Sequence, residues 1–320
     1  MRSLSSAKVF APATVANVGS AFDVLGFALD SPGDTVEAVR SASPGVRIVD
    51  VRGDHGVLSH DPARNTAGVS VQALLAHLSA TQPQLSTPGI DLVIEKGLPI
   101  GSGLGSSSAS TVAAVVAANK LLGSPLSRAD LLPFAMEGER VACGSAHADN
   151  VAPSLLGGFV LIRSYTPLDV VSLPAPRSVW VSVVTPHLEL RTQDARKVLK
   201  RTVSLESAIS QWGNVAALVA GIYRNDVALM GRALEDRIIE PERAQLIPGF
   251  AEVKAAALEA GANGCSISGS GPSLFALSAS RDAAKAIGAA MQAAFSGLSL
   301  VSTVHTSQVN PEGAKVIGRA

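Results

Sequence analysis

The sequence predicts a two-domain α+β protein, and three observations carry that reading. Its 320 residues exceed one ordinary domain and fit two, with ample length for a buried core. Ile90, Leu92 and Ile94 alternate with Asp91, Val93 and Glu95 as in a partly buried strand, and a glycine-serine loop then leads into a helix over 109–122 that is apolar on almost every face. Residues 164–177 hold three prolines, which gives an N-terminal unit of 1–165 and a C-terminal unit of 166–320.

From Lys8 the chain reads as a short strand, a turn rich in small residues that holds Asn17 and Asp23, and a second extended stretch. Asn and Asp suit such a turn because they bond local backbone and tolerate left-handed conformations. Turn signals over 44–64 enclose a short strand, 46–51, and Asn65 then opens an amphipathic helix that ends near Leu78. After the loop helix, Ser127 and Asp130 open a helix carrying Glu137, Glu139 and Arg140, with Asp where a capping box has Glu or Gln. Gly144, His147, Asp149, Asn150 and the pair Gly157 and Gly158 interrupt the apolar segment that follows, as functional loops do. A strand over 178–186 precedes a helix starting near Thr192, which sets Thr192 and Arg196 four apart on one face. Arg243 lies between Pro241 and Pro248, a helix occupies 251–261, and a second glycine-serine turn, 264–272, precedes a strand over 273–277.

Composition narrows the function. With 26 basic and 26 acidic residues, no global field draws nucleic acid or an anionic membrane, so any phosphate binding is local. Apolar residues make up 47%, but the excess is Ala and Val, and no run approaches the ~20 residues needed to span a bilayer. Lys8, Pro12 and Asn17 interrupt the N-terminal stretch before a signal-peptide core forms, so a cytoplasmic protein is expected. Cys143 and Cys265 lie far apart without metal-ligand spacing and read as small buried residues.

The chemistry centres on Pro99, Ile100, Gly101, Ser102, Gly103, Leu104, Gly105, Ser106, Ser107, Ser108 and Ala109. The glycines permit positive φ and bring backbone N–H groups toward a ligand, the serines supply hydroxyl donors and an N-cap, and the helix behind points its positive end at whatever the loop holds. A tight strand-helix turn would use the same letters. The spelling excludes G-x-x-x-x-G-K-[ST], because Ser106 follows Gly105 where lysine is required, and it departs from G-x-G-x-x-G, which weakens a dinucleotide fold.

Residues 99–109 resemble the P-x-x-x-G-L-G-S-S-A phosphate loop of the GHMP small-molecule kinases, and 264–272 resemble their C-terminal G-x-x-x-S-G-S-G-P loop. Four further stretches are similar to the homoserine kinase branch: A-P-A-T-V-A-N-V-G-x-x-F-D at 11–23, H-A-D-N-V-A-P at 147–153 with Glu139 eight residues before His147, T-x-x-A-R at 192–196, and I-E-P-x-R-x-x-L-I-P at 239–248. Ser20 and Ala21 stand where many members have Pro and Gly.

The resemblance implies a two-domain GHMP kinase fold, with the phosphate loop in an N-terminal β/α domain and a ferredoxin-like α/β domain after it. It implies ATP and Mg²⁺ as requirements and L-homoserine as acceptor. By the same resemblance Glu139 and Ser107 hold Mg²⁺, Asn65 and Lys96 join the loop residues around ATP, His147 lies against the amino acid, and Arg196 and Arg243 bind its carboxylate. Asn17, Asp23 and Thr192 complete the substrate set. Where the mevalonate and galactokinase branches place a catalytic aspartate, seven residues before the glycine pair, this chain has Asn150. An amide cannot accept the hydroxyl proton, so positioning and electrostatics are expected to carry the transfer. Rival functions are a kinase for another small alcohol and a nucleotide-binding regulatory protein without chemistry. The expected partners are small molecules, with no nucleic acid and no membrane, and a homodimer is the assembly to test.

Overall fold

A computed structural model describes residues 4–84, 88–144 and 146–319. In chain order the elements are β1 (Ser6–Ala16), β2 (Leu25–Ser41), β3 (Val46–Arg52), α1 (Thr66–Thr81), β4 (Gly89–Glu95), α2 (Ser106–Leu121), α3 (Leu132–Cys143), α4 (Val151–Leu156), β5 (Phe159–Tyr165) and β6 (Leu168–Leu173). Then follow β7 (Trp180–Pro186), α5 (Thr192–Lys197), α6 (Leu205–Arg224), α7 (Val227–Arg232), α8 (Glu240–Ala244), α9 (Phe250–Glu259), β8 (Gly264–Ile267), β9 (Leu274–Ser278), α10 (Arg281–Gly297), β10 (Ser302–Gln308) and β11 (Lys315–Arg319).

A seven-stranded sheet runs β11-β1-β2-β4-β3, with β5 joined to β2 and β6 to β5. Among the described residues, β3 and β4 pair in parallel and the other pairs are antiparallel. Helix α2 packs on β1 and β2 and is flanked by α1 and α3. Its Ala, Val and Ser side chains are buried on nearly every side, which is where a helix with no polar face belongs. Short side chains let the sheet approach α2 closely.

The second sheet is wholly antiparallel in the order β10-β7-β9-β8, covered by α9 and α10. With α5–α9 as one crossover and α10 as the other, this is the expected ferredoxin-like arrangement. Phe27 on β2 packs against Phe159 on β5 at 4.8 Å with the rings tilted by 40° and meets Phe275 on β9 edge-on at 5.9 Å, so one aromatic cluster ties the two sheets together.

Three details differ from the sequence reading. The division expected at 165/166 falls in the turn of the β5–β6 hairpin, so the first sheet continues to Leu173 and later regains β11 from the end of the chain. The Ser127–Asp130 hydrogen bond closes on a 3₁₀ turn, Ala129–Leu131, that leads into α3, and not on an α-helix N-terminus. Helix α2 begins at Ser106, three residues earlier than expected. Cys265 is buried as anticipated, whereas the side chain of Cys143 lies outside the described residues.

Candidate active site

The glycine-serine loop lines a cleft of about 480 Å³ between the two sheets' helices. Gly101, Gly103 and Gly105 have φ of 68°, 78° and 65°, as the loop reading requires. The N-cap of α2 is Gly105 and not a serine, because the chain enters the helix from a left-handed residue; Ser106, Ser107 and Ser108 form the first turn itself. Among the described residues no side chain caps this end. Its N–H groups are therefore available to an anion, and the helix dipole favours one. Ser107 and Ser108 both line the cleft, and the buried Ser108 Oγ makes no hydrogen bond with the described residues.

A buried ion pair braces the loop from behind. Lys96 Nζ donates to Asp34, to the Ser106 carbonyl at 2.8 Å and to Ser110 Oγ at 2.8 Å. Asp34 also accepts from Gly97 N at 3.0 Å and Leu98 N at 3.2 Å. The lysine charge is thus committed to the protein at the positive end of α2, although the residue also borders the cleft. Asn65, expected beside ATP, is buried and spends its amide on the backbone, accepting from Ala67 N and donating to the Ser59 carbonyl. Its neighbours Arg64 and Thr66 face the cleft.

The turn after β8 holds the loop from the other side. Ser268 Oγ donates to the Gly103 carbonyl at 2.8 Å, and Ser273 Oγ donates to the Ser102 carbonyl at 2.6 Å. Gly269 N reaches the Ala16 carbonyl at 2.9 Å. A β-carbon on Gly103 would stand 2.6 Å from the carbonyl oxygens of Ser268 and Gly271, so glycine is required by close approach as well as by φ.

Beyond the loop the cleft becomes ionic. Arg196 on α5 makes two hydrogen bonds to Asp23, and Asn17 fixes that turn by accepting from Asp23 N at 2.8 Å and donating to the Gly269 carbonyl at 2.9 Å. Arg243 on α8 is 2% exposed and donates to the Gly269 and Ala195 carbonyls. Burial, with Arg196 nearby, pushes its pKa down to about 10, which still leaves the charge in place at neutral pH. Both cations lie over the Phe22 ring, the Arg196 guanidinium 5.3 Å and that of Arg243 5.0 Å from its centroid. Thr192 faces Ser270 at 3.3 Å, and both border the cleft.

Glu139 on α3 is buried and lines the cleft, as do His147, Asp149 and Asn150. Burial and then the charges of Asp23 and Glu139 push the Asp149 carboxyl up to about 7. Burial and the two arginines hold His147 below the usual imidazole range, and its ring meets Tyr165 edge-on at 6.2 Å.

The structure thus brings together on one cleft Asn17, Lys96, the loop residues Ile100 to Gly103 and Gly105 to Ser108, Glu139, His147, Asn150, Thr192, Arg196 and Arg243. Asp23 joins through Arg196. Leu104 and Ala109 are buried behind the loop, and Pro99 is exposed with its carbonyl accepting from Ser102 Oγ. Sequence reasoning missed Arg64, Glu189 to Arg191 and Gln193 on either side of Thr192, and Gly269 and Ser270 of the second turn as lining residues. The second turn was visible as a motif; Arg64 and Glu189 carry no local signal.

Residues 68–158 match the family model described as the GHMP kinases N terminal domain, and 218–297 match the GHMP kinases C terminal model. The chain is 53% identical over 320 residues to a homoserine kinase of Chlorobium phaeovibrioides, covering 98% of this chain and all of that one. A homoserine kinase of Xanthomonas campestris is 43% identical, covering 99% and 95%. A crystal structure of homoserine kinase from Cytophaga hutchinsonii superposes with a TM-score of 0.94 at 55% identity, covering 99% of both chains. A mevalonate kinase of L. major, 20% identical with a TM-score of 0.70 over 97% of this chain and 98% of its own, shares the fold.

Proposed function

The chain belongs to the GHMP kinases and, within them, to the homoserine kinase family, and from that premise we infer how its residues divide the work. It transfers the γ-phosphoryl group of ATP to the side-chain hydroxyl of L-homoserine, giving ADP and O-phospho-L-homoserine for threonine biosynthesis. The observation that carries the residue assignment is a single cleft with an uncapped helix N-terminus at one end and the Asp23–Arg196 pair, backed by Arg243, at the other.

In this reading the N–H groups of the loop and of the first turn of α2 hold the ATP phosphates. Lys96 and the Ser268 and Ser273 hydroxyls keep that cradle in shape. Arg196 and Arg243 receive the amino-acid carboxylate, and Asp23 turns to the ammonium group. Ser107 and Glu139 supply hard oxygen donors, suited to Mg²⁺, whose bound charge would offset that of the phosphates. His147 and Thr192 bound the substrate chamber, and Asn150 faces the place where the hydroxyl meets the γ-phosphoryl.

A substrate pair of ATP and a free amino acid supports a cytoplasmic enzyme. For its assembly we favour a homodimer through α6, where Leu205, Ile209, Trp212 and Tyr223 are exposed. Glu206 and Arg224 sit at opposite ends of that helix, so antiparallel pairing about a two-fold axis sets unlike charges together. Sedimentation of the wild type and of Trp212→Glu tests the assembly; a monomeric wild type overturns it.

The activity is tested by ADP release from ATP and Mg²⁺ over a panel of homoserine, 3-aminopropanol, mevalonate and shikimate. Release with homoserine and a phosphorylated product are expected. Turnover of mevalonate or shikimate without homoserine, or nucleotide binding with no alcohol turned over, overturns the reading.

A further inference from the structure

Thr14 is fully buried near the end of β1, directly under the phosphate loop. Its backbone N–H donates to the Leu104 carbonyl at 3.1 Å, and its hydroxyl donates to Asn150 Oδ1 at 2.7 Å. A β-carbon on Gly105 would stand 2.2 Å from Thr14 Oγ1, so the hydroxyl is lodged against the backbone of the loop. Asn150 occupies the N-cap position of α4 yet makes no side-chain cap bond. Its amide is committed to Thr14 on one side and borders the cleft on the other.

The direction of this hydrogen bond decides which end of the amide reaches the cleft. Among the described residues, Asn150 Oδ1 is the only acceptor for the Thr14 hydroxyl proton. Turning the amide over would let Nδ2 donate to Oγ1 but would strand that proton in a buried place with no acceptor. The threonine therefore holds Oδ1 inward and sends the NH₂ group outward. Asn150 Nδ2 makes no hydrogen bond with the described residues, so both of its protons are available to a guest.

We propose that Thr14 is a positioning residue that locks the Asn150 amide with its NH₂ group turned into the cleft, making Asn150 a hydrogen-bond donor to the oxygens of the phosphoryl group in transfer. The role rests on the homoserine kinase reading above. A donor aimed at those oxygens strengthens as charge spreads over them, which lowers the barrier without touching ground-state affinity. A freely turning amide would present its carbonyl oxygen to the same phosphoryl group for part of the time and repel it.

The experiment measures kcat and KM for ATP and homoserine in the full-length enzyme. Absence of wild-type turnover overturns the kinase reading itself; every later comparison is against an active wild type. Thr14→Val, which keeps the shape and removes the hydroxyl, is expected to lower kcat about tenfold with both KM values nearly unchanged. Thr14→Ala replaces it if valine does not fold, with the same expectation. Thr14→Ser, which keeps the donor, restores most of kcat. In an Asn150→Ala background, Thr14→Val should cost nothing further. Asn150→Asp, which turns a carboxylate oxygen to the phosphoryl group, should depress kcat at least as far as Asn150→Ala. Wild-type kcat in both Thr14 variants lacking the hydroxyl, an equal loss in Thr14→Ser, an undiminished effect of Thr14→Val without Asn150, or an active Asn150→Asp would each overturn the role.

Discussion

Asp23 and Arg196 hold each other through two near-parallel hydrogen bonds, Nη2 to Oδ1 at 2.7 Å and Nη1 to Oδ2 at 3.1 Å. In the proposed reading this pair receives the amino acid: the arginine is the complement of a carboxylate and the aspartate the complement of an ammonium group. In the ligand-free protein the two satisfy each other, so neither charge stands bare, and a zwitterion can exchange one neutral set of pairs for another.

Arg196→Ala should raise the KM for homoserine while leaving that for ATP nearly unchanged. A charge-assisted contact is worth about 1.5 to 3 kcal/mol, or roughly 10- to 150-fold. Arg243→Ala should do the same and also lower the melting temperature, because it removes a buried side chain that two backbone carbonyls rely on. Steady-state kinetics with homoserine and 3-aminopropanol separate the assignments: equal affinity for the two alcohols would refute carboxylate recognition by either arginine.

Gly103→Ala should weaken nucleotide binding and thermal stability together. The added carbon meets two carbonyl oxygens of the second turn at 2.6 Å, and both are backbone, so the loop and that turn must part. Gly123→Ala is the control, since Gly123 also has positive φ but nothing within 4 Å of the new carbon. It should cost about 1 kcal/mol of backbone strain and leave ATP affinity alone. Calorimetry and nucleotide titration of the two variants check this; equal behaviour would make strain, not contact, the reason for glycine at 103.

Much of this site was legible because its parts are punctuated locally. Gly101, Gly103 and Gly105 announce their φ by being glycine, and the Ala- and Val-rich run after them, apolar on almost every face, reads as a buried helix. The residues that close the cleft were harder to read. Lys96 looks like a solvated or ligand-binding charge until Asp34, 62 residues earlier, is seen beneath it. Thr14 falls within the signature at 11–23, but nothing in that spelling tells its role, because its meaning depends on Asn150, 136 residues away. The β6 strand hid between prolines, since Pro167 and Pro174 flank it rather than interrupt it.

Asp149 should make the ligand-free protein less stable as pH rises. Its carboxyl is raised from 3.8 to about 7 by burial and by Asp23 and Glu139. A group with a raised folded-state pKa favours folding fully below its unfolded value and loses that contribution as pH climbs through the folded one. The window is therefore pH 4 to 7, with a loss on the order of 4 kcal/mol at its upper end. Asp149→Asn should raise the melting temperature at pH 8 by several degrees and hardly change it at pH 4.5. Melting curves of both proteins across that range test it; a pH-independent difference would contradict a raised carboxyl.

The same residue decides the mechanism. Asn150 cannot take the hydroxyl proton, and Asp149 is the carboxyl beside it whose pKa of about 7 would suit a base. That pKa is raised first by burial and then by Asp23 and Glu139, the two carboxylates that the proposed ammonium and Mg²⁺ would neutralise, so loading the site removes the smaller part of the shift and draws the pKa below about 7. Phosphoryl transfer through a loose transition state needs little deprotonation of its nucleophile, and the cradle and metal site can supply the rest. Glu139→Gln should therefore cut kcat by about 10²-fold or more, whereas Asp149→Asn should cost less than about tenfold, and its pH profile should run parallel to the wild type. A true base would be worth about 10²- to 10⁴-fold and would give kcat a rising limb that the Asp149→Asn enzyme lacks. Measuring kcat against pH at saturating ATP, homoserine and Mg²⁺ separates the two: collapse of Asp149→Asn together with loss of that limb would make Asp149 the base.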